Sequence, residues 1–192
     1  MPPEQFQQVL DAIPSLNIRK WKDEDIQMMF KIDYWCGLRF DEGCHLKADD
    51  FDLELGEVYL GKTKTETADS ATIPSNFKPE LEAYLKDKKG ELFPGLTYGT
   101  AIKWIEKLGI KLNILAWTVP QSISGEKTKT HIFRKSIGKD MIYGTFGSKA
   151  PLTFVSKTLR HRGKDPLSMT IKYLKVGTED VKDWWADLDS KK

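Results

Sequence analysis

A basic, histidine-bearing segment runs from His131-Ile132-Phe133-Arg134, through Leu159-Arg160-His161-Arg162, to Ile171-Lys172-Tyr173-Leu174. It holds two of the chain's three histidines. The apolar residues between these polar groups recur at helical spacing. We therefore expect the segment to be helical and to bring its basic side chains together around one site.

The chain has 192 residues, of which 40% are hydrophobic, so it can bury the core of one domain. Its net charge of +2 is unevenly distributed. Residues 1–60 carry 6 basic and 13 acidic residues, whereas residues 126–175 carry 12 basic and 3 acidic ones. A block this basic favours a face that binds a polyanion over one that is merely solvated.

No apolar run is long enough to cross a bilayer, and the N-terminus lacks a signal-peptide pattern. We expect a cytoplasmic protein, or one in the host cytoplasm if it is viral, with no membrane partner. Cys36 and Cys44 could join His45 as metal ligands, but two small buried thiols are favoured because no clear fourth ligand is present. We predict no metal and no cofactor.

The order of periodic segments predicts a mainly α fold with a small antiparallel β-sheet (α+β). Helical spacing is found over residues 4–13, 23–35, 79–88, 97–109, 131–143, 151–159, 166–177 and 178–188, with a short turn of helix begun at Asp41. In these segments Asp23 is expected to be an N-cap, Pro14 and Gly109 to end helices, and Gly37 to be a C-terminal glycine. Residues 51–65 alternate like a hairpin with its turn at Gly56, and a third strand ends at Pro74.

A spacing of three places His131 and Arg134 on nearly the same helix face, where both can donate hydrogen bonds to a phosphate. Arg39 can add a second guanidinium if the fold returns it to this face. Tyr173 lies among basic residues, and a phenol becomes a nucleophile when cations favour the phenolate or a base takes its proton. Taken singly, each residue is more often structural or exposed. Together they indicate a phosphate site.

These residues resemble the catalytic domain of the tyrosine recombinases, the phage integrase family. Five motifs carry the resemblance in the family's order over about residues 5–176: Gly37-Leu38-Arg39-Phe40-Asp41-Glu42, Lys62-Thr63-Lys64-Thr65 before Ile73-Pro74, His131-Ile132-Phe133-Arg134, Leu159-Arg160-His161, and Tyr173-Leu174-Lys175. Three departures stand out. Arg160 replaces the usual glycine, Lys135 stands where histidine is common, and the spacing from His161 to Tyr173 is long. They suggest a divergent branch of archaeal or viral origin.

The resemblance implies that Tyr173 attacks a DNA phosphate, forms a 3′-phosphotyrosine and releases a 5′-hydroxyl, after which strands are exchanged. The implied catalytic residues are Arg39, Lys64, His131, Arg134, His161 and Tyr173. Lys62 is the alternative to Lys64 as general acid, and Glu42 is a positioning residue. We also expect DNA contacts from Lys62, Lys127, Lys129, Lys135, Arg160 and Arg162, with solvation of their loop as the alternative role of Lys127 and Lys129.

The implied partner is double-stranded DNA, with a homotetramer on DNA and a monomer or weak oligomer in its absence. We expect residues 1–177 to form the catalytic domain. We expect this chain to lack the family's N-terminal core-binding domain, and we favour a fragment over a naturally short protein. Residues 178–192 form a tail that docks on a neighbouring protomer or folds back in cis. The alternatives are a type IB topoisomerase-like nicking-closing enzyme and an inactive DNA-binding accessory module.

Overall fold

The computed structural model describes residues 1–61, 69–118, 131–162 and 164–174. The helices in this part of the chain are α1 (Pro3–Ala12), α2 (Asp23–Trp35), α3 (Phe40–Cys44), α4 (Lys78–Leu85), α5 (Tyr98–Lys111), α6 (Leu115–Thr118), α7 (Ile132–Tyr143), α8 (Leu152–Thr158) and α9 (Pro166–Leu174). The strands are β1 (Phe51–Asp52), β2 (Glu57–Leu60) and β3 (Asp69–Thr72), and two 3₁₀ turns cover Ile13–Leu16 and Ala48–Asp50. The predicted fold class, mainly α with a small antiparallel sheet, is confirmed.

The three strands form one antiparallel sheet in the order β1-β2-β3. Phe51 pairs with Val58, and Leu60 pairs with Asp69 at the far end of the β2–β3 ladder. Val58 and Leu60 are buried while Tyr59 between them is exposed, as expected for side chains that alternate across a strand. One face of the sheet therefore packs on the core. Asp69 is the first residue of β3 and lies beside the last residue of β2.

The helical core is centred on Phe133 of α7. Its ring contacts those of Phe6, Phe30 and Phe40, so α1, α2 and α3 all converge on one aromatic side chain. Helix α2 packs on α7, α7 on α8, and α8 on α9. Because α7 begins at Ile132, this packing places the first turn of α7 beside the end of α2.

Helix α2 ends at Gly37 in a Schellman motif. The Leu38 N–H donates to the carbonyl of Asp33 at 2.9 Å, the Gly37 N–H donates to that of Tyr34, and Gly37 has φ +61°. A Cβ at Gly37 would lie 3.3 Å from the Thr158 carbonyl oxygen at the end of α8. The predicted C-terminal glycine thus allows the C-termini of two helices to meet.

The structure corrects two predicted boundaries. Helix α5 does not end at Gly109 but continues to Lys111, because Gly109 is a packing position: a Cβ there would lie 2.5 Å from Cβ of Trp117. Helix α1 ends at Ala12, in agreement with the break expected at Pro14, and Pro14 lies in the 3₁₀ turn that follows. The residue before α2 is Lys22, so Asp23 is the first helical residue rather than the N-cap. The helix expected over residues 178–188 lies outside the described residues.

Asp33 is a buried carboxyl group on α2. It is 1% exposed, and neither of its oxygens has a hydrogen-bond partner in the described part of the chain. Burial, reinforced by the charge of Glu42, raises its pKa well above the ordinary value of 3.8. A Cβ on Gly43 would lie 2.1 Å from Asp33 Oδ1, so this glycine makes room for the carboxyl.

Cys36 and Cys44 are buried, free thiols. Burial, with the charge of Asp33, raises the pKa of each to about 12, so both are unreactive at neutral pH. The described residues contain no group of three or more metal-ligating side chains that could hold an ion. The favoured interpretation, two small buried thiols, agrees with this arrangement. None of the described helices has the length and apolarity that a membrane span requires.

Gly37→Ala should destabilise the fold. The left-handed conformation costs an L-residue about 1–2 kcal/mol, and the added Cβ also crowds Thr158. Gly90→Ala is the matched control, because Gly90 has φ +65° in open space and carries the conformational cost alone. Urea unfolding should show a larger loss for Gly37→Ala. Equal losses would contradict the close approach of α8.

Asp33→Asn should raise stability at neutral pH. Folding raises the pKa of Asp33 above 3.8. The free energy of unfolding therefore falls as pH rises from 3.8 to the folded-state pKa, by about 1.4 kcal/mol per pH unit. The free-energy difference between Asp33→Asn and the original chain should therefore grow over this window and level off above it. Urea unfolding at several pH values measures it, with exposed Asp49→Asn as control. A pH-independent difference would show that Asp33 is ionised in the fold.

Candidate active site

Tyr173 lies on α9 between two histidines. Its Oη is 3.1 Å from His131 Nδ1, and its ring meets the rings of His131 and His161 edge-on, with centroids 5.8 and 5.0 Å away. The Lys135 ammonium lies 5.4 Å from the ring centroid, within range of a cation–π interaction. The phenol is thus held in one position, with a potential proton acceptor at its oxygen.

A glycine on α7 allows Tyr173 to reach His131. A Cβ on Gly138 would lie 3.0 Å from side-chain carbons of both Leu159 and Leu174. Leu174 is buried, and it follows Tyr173 directly in the chain. The close approach of α9 to α7 at Gly138 therefore sets the distance between the two functional side chains.

Burial raises the pKa of Tyr173 to about 12, although the charges of Arg134 and Arg39 act in the opposite direction. The phenol is consequently protonated at neutral pH, and attack requires a base. His131 Nδ1 can accept the proton when its other ring nitrogen carries the hydrogen. This pair has the geometry of a nucleophile and its base.

Arg134 is a buried cation with one hydrogen-bonding group unsatisfied. The residue is 1% exposed, and its Nη1 donates to the Gly37 carbonyl at 2.6 Å. Its Nη2 has no hydrogen-bond partner among the described residues. Burial, and then the charges of Arg160 and Arg39, lowers its pKa to about 9, so the guanidinium stays charged at neutral pH. A buried, unpaired N–H on a cation would gain from binding an anion.

Arg39 follows the Gly37 turn and is held by Glu42. The Arg39 N–H donates to Glu42 Oε2 at 2.7 Å, and its Nη1 donates to Oε1 at 2.6 Å. Burial would raise the pKa of Glu42, but the charges of Arg160 and Arg39 and the bond from the Arg39 backbone lower it, so the carboxylate remains ionised. The Arg39 side chain is 43% exposed and lines an open cleft of about 750 Å³.

His161 is oriented by Thr170. The Thr170 hydroxyl donates to the Pro166 carbonyl at 2.8 Å, so it can only accept from His161 Nδ1, also 2.8 Å away. The neutral imidazole therefore carries its proton on Nδ1. Burial, and then the charges of Arg134, Arg39 and Arg160, lowers the pKa of His161 to about 4, so it is neutral at pH 7.

The structure brings Arg39, His131, Arg134, His161 and Tyr173 together. Lys62, Lys64, Lys127 and Lys129 lie outside the described residues.

Three basic residues predicted to bind DNA have other contacts. Lys135 lies against the Tyr173 ring, and Arg162 is exposed while pairing with Asp69 at 2.7 Å. Arg160 differs most, because its side chain is 3% exposed and pairs with Glu42 and Asp69. Because Arg160 is almost fully buried, little of its side chain can contact DNA. The predicted DNA contact is therefore corrected: Arg160 pairs with carboxylates inside the fold.

Sequence reasoning missed Thr170, Asp69 and Gly138. Thr170 precedes Tyr173 by three residues, and that spacing on a helix is a usable signal. Asp69 and Gly138 act through residues distant in sequence, so no local pattern indicates them.

Comparison with models of protein families identifies the family of this chain. The model of the phage integrase family matches residues 1–179. The chain belongs to that family, the tyrosine recombinases, as the resemblance of its motifs predicted. Comparison with the curated proteins gave no match.

Solved structures of recombinases share the fold. XerA recombinase aligns with a TM-score of 0.69 at 16% identity, over 97% of this chain and 64% of that one. The catalytic domain of bacteriophage HP1 integrase aligns at 0.64 and 18% identity, over 95% and 90%. XerH recombinase, bound to palindromic difH substrate in a post-cleavage complex, aligns at 0.65 and 18%, over 98% and 52%. The chain thus spans about two thirds of XerA, half of XerH, and most of the HP1 catalytic domain.

Thr170→Val should change the tautomer of His161. In the original chain ¹⁵N spectra should show His161 protonated on Nδ1 at pH 7 and titrating near pH 4. Removing the hydroxyl removes the acceptor of that proton, so the Nε2–H form should become populated. His161→Gln assigns the resonance. A predominantly Nε2–H imidazole in the original chain would contradict the hydrogen-bond arrangement.

Proposed function

We propose that this chain is the catalytic domain of a site-specific recombinase that cleaves and rejoins DNA through Tyr173. The observation that carries the proposal is the pairing of Tyr173 Oη with His131 Nδ1 at 3.1 Å beside the buried Arg134, whose Nη2 has no hydrogen-bond partner among the described residues. A nucleophile, a base and a preformed anion site in one place suit transfer of a phosphoryl group. Family membership supports the same activity.

In the proposed first step, Tyr173 Oη forms a bond to the scissile phosphorus while the bond from phosphorus to the 5′-oxygen breaks. His131 takes the phenol proton as the bond forms, which avoids the cost of a free phenolate in a site that raises the pKa to about 12. The product is a 3′-phosphotyrosine. Because that ester retains the energy of the original bond, a 5′-hydroxyl can reverse the step without a nucleotide cofactor.

Arg134 and Arg39 are proposed to stabilise the charge on the phosphoryl oxygens. Arg134 offers a buried Nη2 that is already desolvated, and the half-exposed side chain of Arg39 can reach a phosphate from solvent. Fixed donors in a low-dielectric site need little reorganisation as charge develops. Loss of one such donor typically costs about 10²–10³ in rate.

His161 is proposed to bind a non-bridging oxygen in its protonated form. In the neutral tautomer set by Thr170, Nε2 can only accept a hydrogen bond. A phosphate beside it would favour the imidazolium and raise its pKa, after which Nε2 donates. Binding of the scissile phosphate should therefore be accompanied by proton uptake.

Protonation of the leaving 5′-oxygen is assigned to Lys64, with Lys62 as the alternative. Both remain predictions, since the two lysines lie between β2 and β3 outside the described residues.

The proposed partner is double-stranded DNA, with assembly as a tetramer on it. XerH bound to difH and the Tn1549 transposon integrase in complex with transposon right end DNA support DNA as the ligand of this fold. Much of the binding should come from phosphate contacts, so affinity should fall steeply as salt rises.

Tyr173→Phe should abolish covalent attachment to DNA. A nicked suicide duplex, whose downstream 5′ fragment diffuses away after cleavage, traps the 3′-phosphotyrosine as a band resistant to denaturant. The original chain should form it on a cognate site, whereas Tyr173→Phe should not. Tyr98→Phe on α5 is the matched control and should retain the adduct. An adduct with Tyr173→Phe would refute the assigned nucleophile.

Strand exchange separates a recombinase from a nicking-closing enzyme. With two duplexes that carry different end labels, recombination should yield joined products of mixed label. Relaxation of supercoiled DNA without mixed products would instead support the topoisomerase-like alternative. Salt-dependent DNA binding with no adduct on a cognate site would support the accessory module.

A further inference from the structure

Arg160 occupies a backbone position that disfavours it. Helix α8 ends in the same Schellman pattern as α2: the His161 N–H donates to the Ser156 carbonyl and the Arg160 N–H to that of Lys157. Arg160 has φ +47°, the left-handed conformation that Gly37 adopts in the equivalent place. An L-residue there costs about 1–2 kcal/mol. Such a residue persists where its side chain makes compensating contacts.

The Arg160 guanidinium makes two hydrogen bonds and one ion pair, the last through Nε, which has no hydrogen-bond partner among the described residues. Its Nη2 donates to Glu42 Oε2 at 2.5 Å, its Nε lies 3.2 Å from Asp69 Oδ2 as an ion pair, and its Nη1 donates to the Gly37 carbonyl at 3.5 Å. Both carboxylates are largely buried, with Glu42 and Asp69 side chains 15% and 11% exposed. Arg160 is therefore the internal counter-ion of two carboxylates rather than a surface charge.

Those two carboxylates belong to different parts of the site. Glu42 also holds Arg39, whereas Asp69 also pairs with Arg162. Asp69 is the first residue of β3 and pairs with Leu60, the last of β2. The Arg160 guanidinium thus links three places: the turn that carries Arg39, the turn at the end of α8 that carries His161, and the end of the sheet at Asp69.

We propose that Arg160 is a positioning residue that, through Asp69, holds the β2–β3 end of the sheet in register with Arg39 and His161. The chain from Gly61 to Asp69 carries Lys62 and Lys64. Fixing Asp69 therefore fixes one anchor of the segment that supplies the proposed general acid. The proposal rests on the proposed function, because it concerns delivery of a proton to the leaving 5′-oxygen.

A sulfur atom in place of the bridging 5′-oxygen isolates that step. As the phosphorus–sulfur bond breaks, the leaving group is a 5′-thiolate, which needs no proton near neutral pH because thiols are far more acidic than alcohols. A variant that only misplaces the proton donor should regain cleavage on this substrate. A variant that damages the nucleophile, the phosphate site or the fold should stay slow on both.

The experiment compares Arg160→Gly and Asp69→Asn with the original chain on suicide duplexes containing oxygen or sulfur. Arg160→Gly suits the backbone and removes only the side chain, and Asp69→Asn keeps the shape of the carboxylate. Each should slow adduct formation on the oxygen substrate by about 10–100-fold, as for a misplaced catalytic group. On the sulfur substrate each should come within about threefold of the original chain. Asp87→Asn, an exposed aspartate after α4, is the matched control.

Two results would overturn the proposal: equal losses on both substrates, or no loss on either. Combining the two substitutions should cost no more than the larger single effect if they break one interaction, and additive losses would count against it. Lys64→Ala or Lys62→Ala should reproduce the rescue by sulfur. An original chain that forms no adduct on either substrate would refute the proposed function itself, a failure distinct from that of Arg160.

Discussion

The hydrogen bond from Arg134 Nη1 to the Gly37 carbonyl, 2.6 Å long, is the contact on which the site depends. It joins the C-terminus of α2 to the first turn of α7. The same carbonyl accepts from Arg160 Nη1 at 3.5 Å. A helix C-terminus carries partial negative charge, so a junction of two such ends is a favourable place for buried cations. The fold thereby holds guanidinium groups out of water, and Arg134 Nη2 has no hydrogen-bond partner in the part of the chain that the structure describes.

Local signals made half of this site predictable. Gly37 after an apolar helix indicated a left-handed C-terminus, and the spacing of His131 and Arg134 placed both at the start of one helix. The order of five motifs then indicated the family, and with it the return of Arg39 and Tyr173 to the same place. The small sheet and its turn at Gly56 followed from alternation and turn chemistry.

The remaining features depend on contacts between distant residues. Gly109 was expected to end a helix. Its lack of a side chain instead leaves room for Trp117 to pack against α5, and no sequence pattern near Gly109 indicates that contact. Arg160 was expected to face DNA because basic residues surround it in sequence. Its burial follows from Glu42 and Asp69, which lie 118 and about 90 positions away in the chain. Charge counted along a sequence does not distinguish a surface cation from an internal counter-ion.

We propose that Tyr173, Arg39 and Arg134 together form a site for a pentacoordinate phosphoryl group. A crystal structure of the chain with nicked cognate DNA and orthovanadate tests it most directly, because vanadate adopts that geometry. We expect a bond from Tyr173 Oη to vanadium at one apex, with Arg134 Nη2 and Arg39 on the equatorial oxygens. Vanadate bound elsewhere, with Tyr173 Oη still hydrogen-bonded to His131, would contradict this assignment.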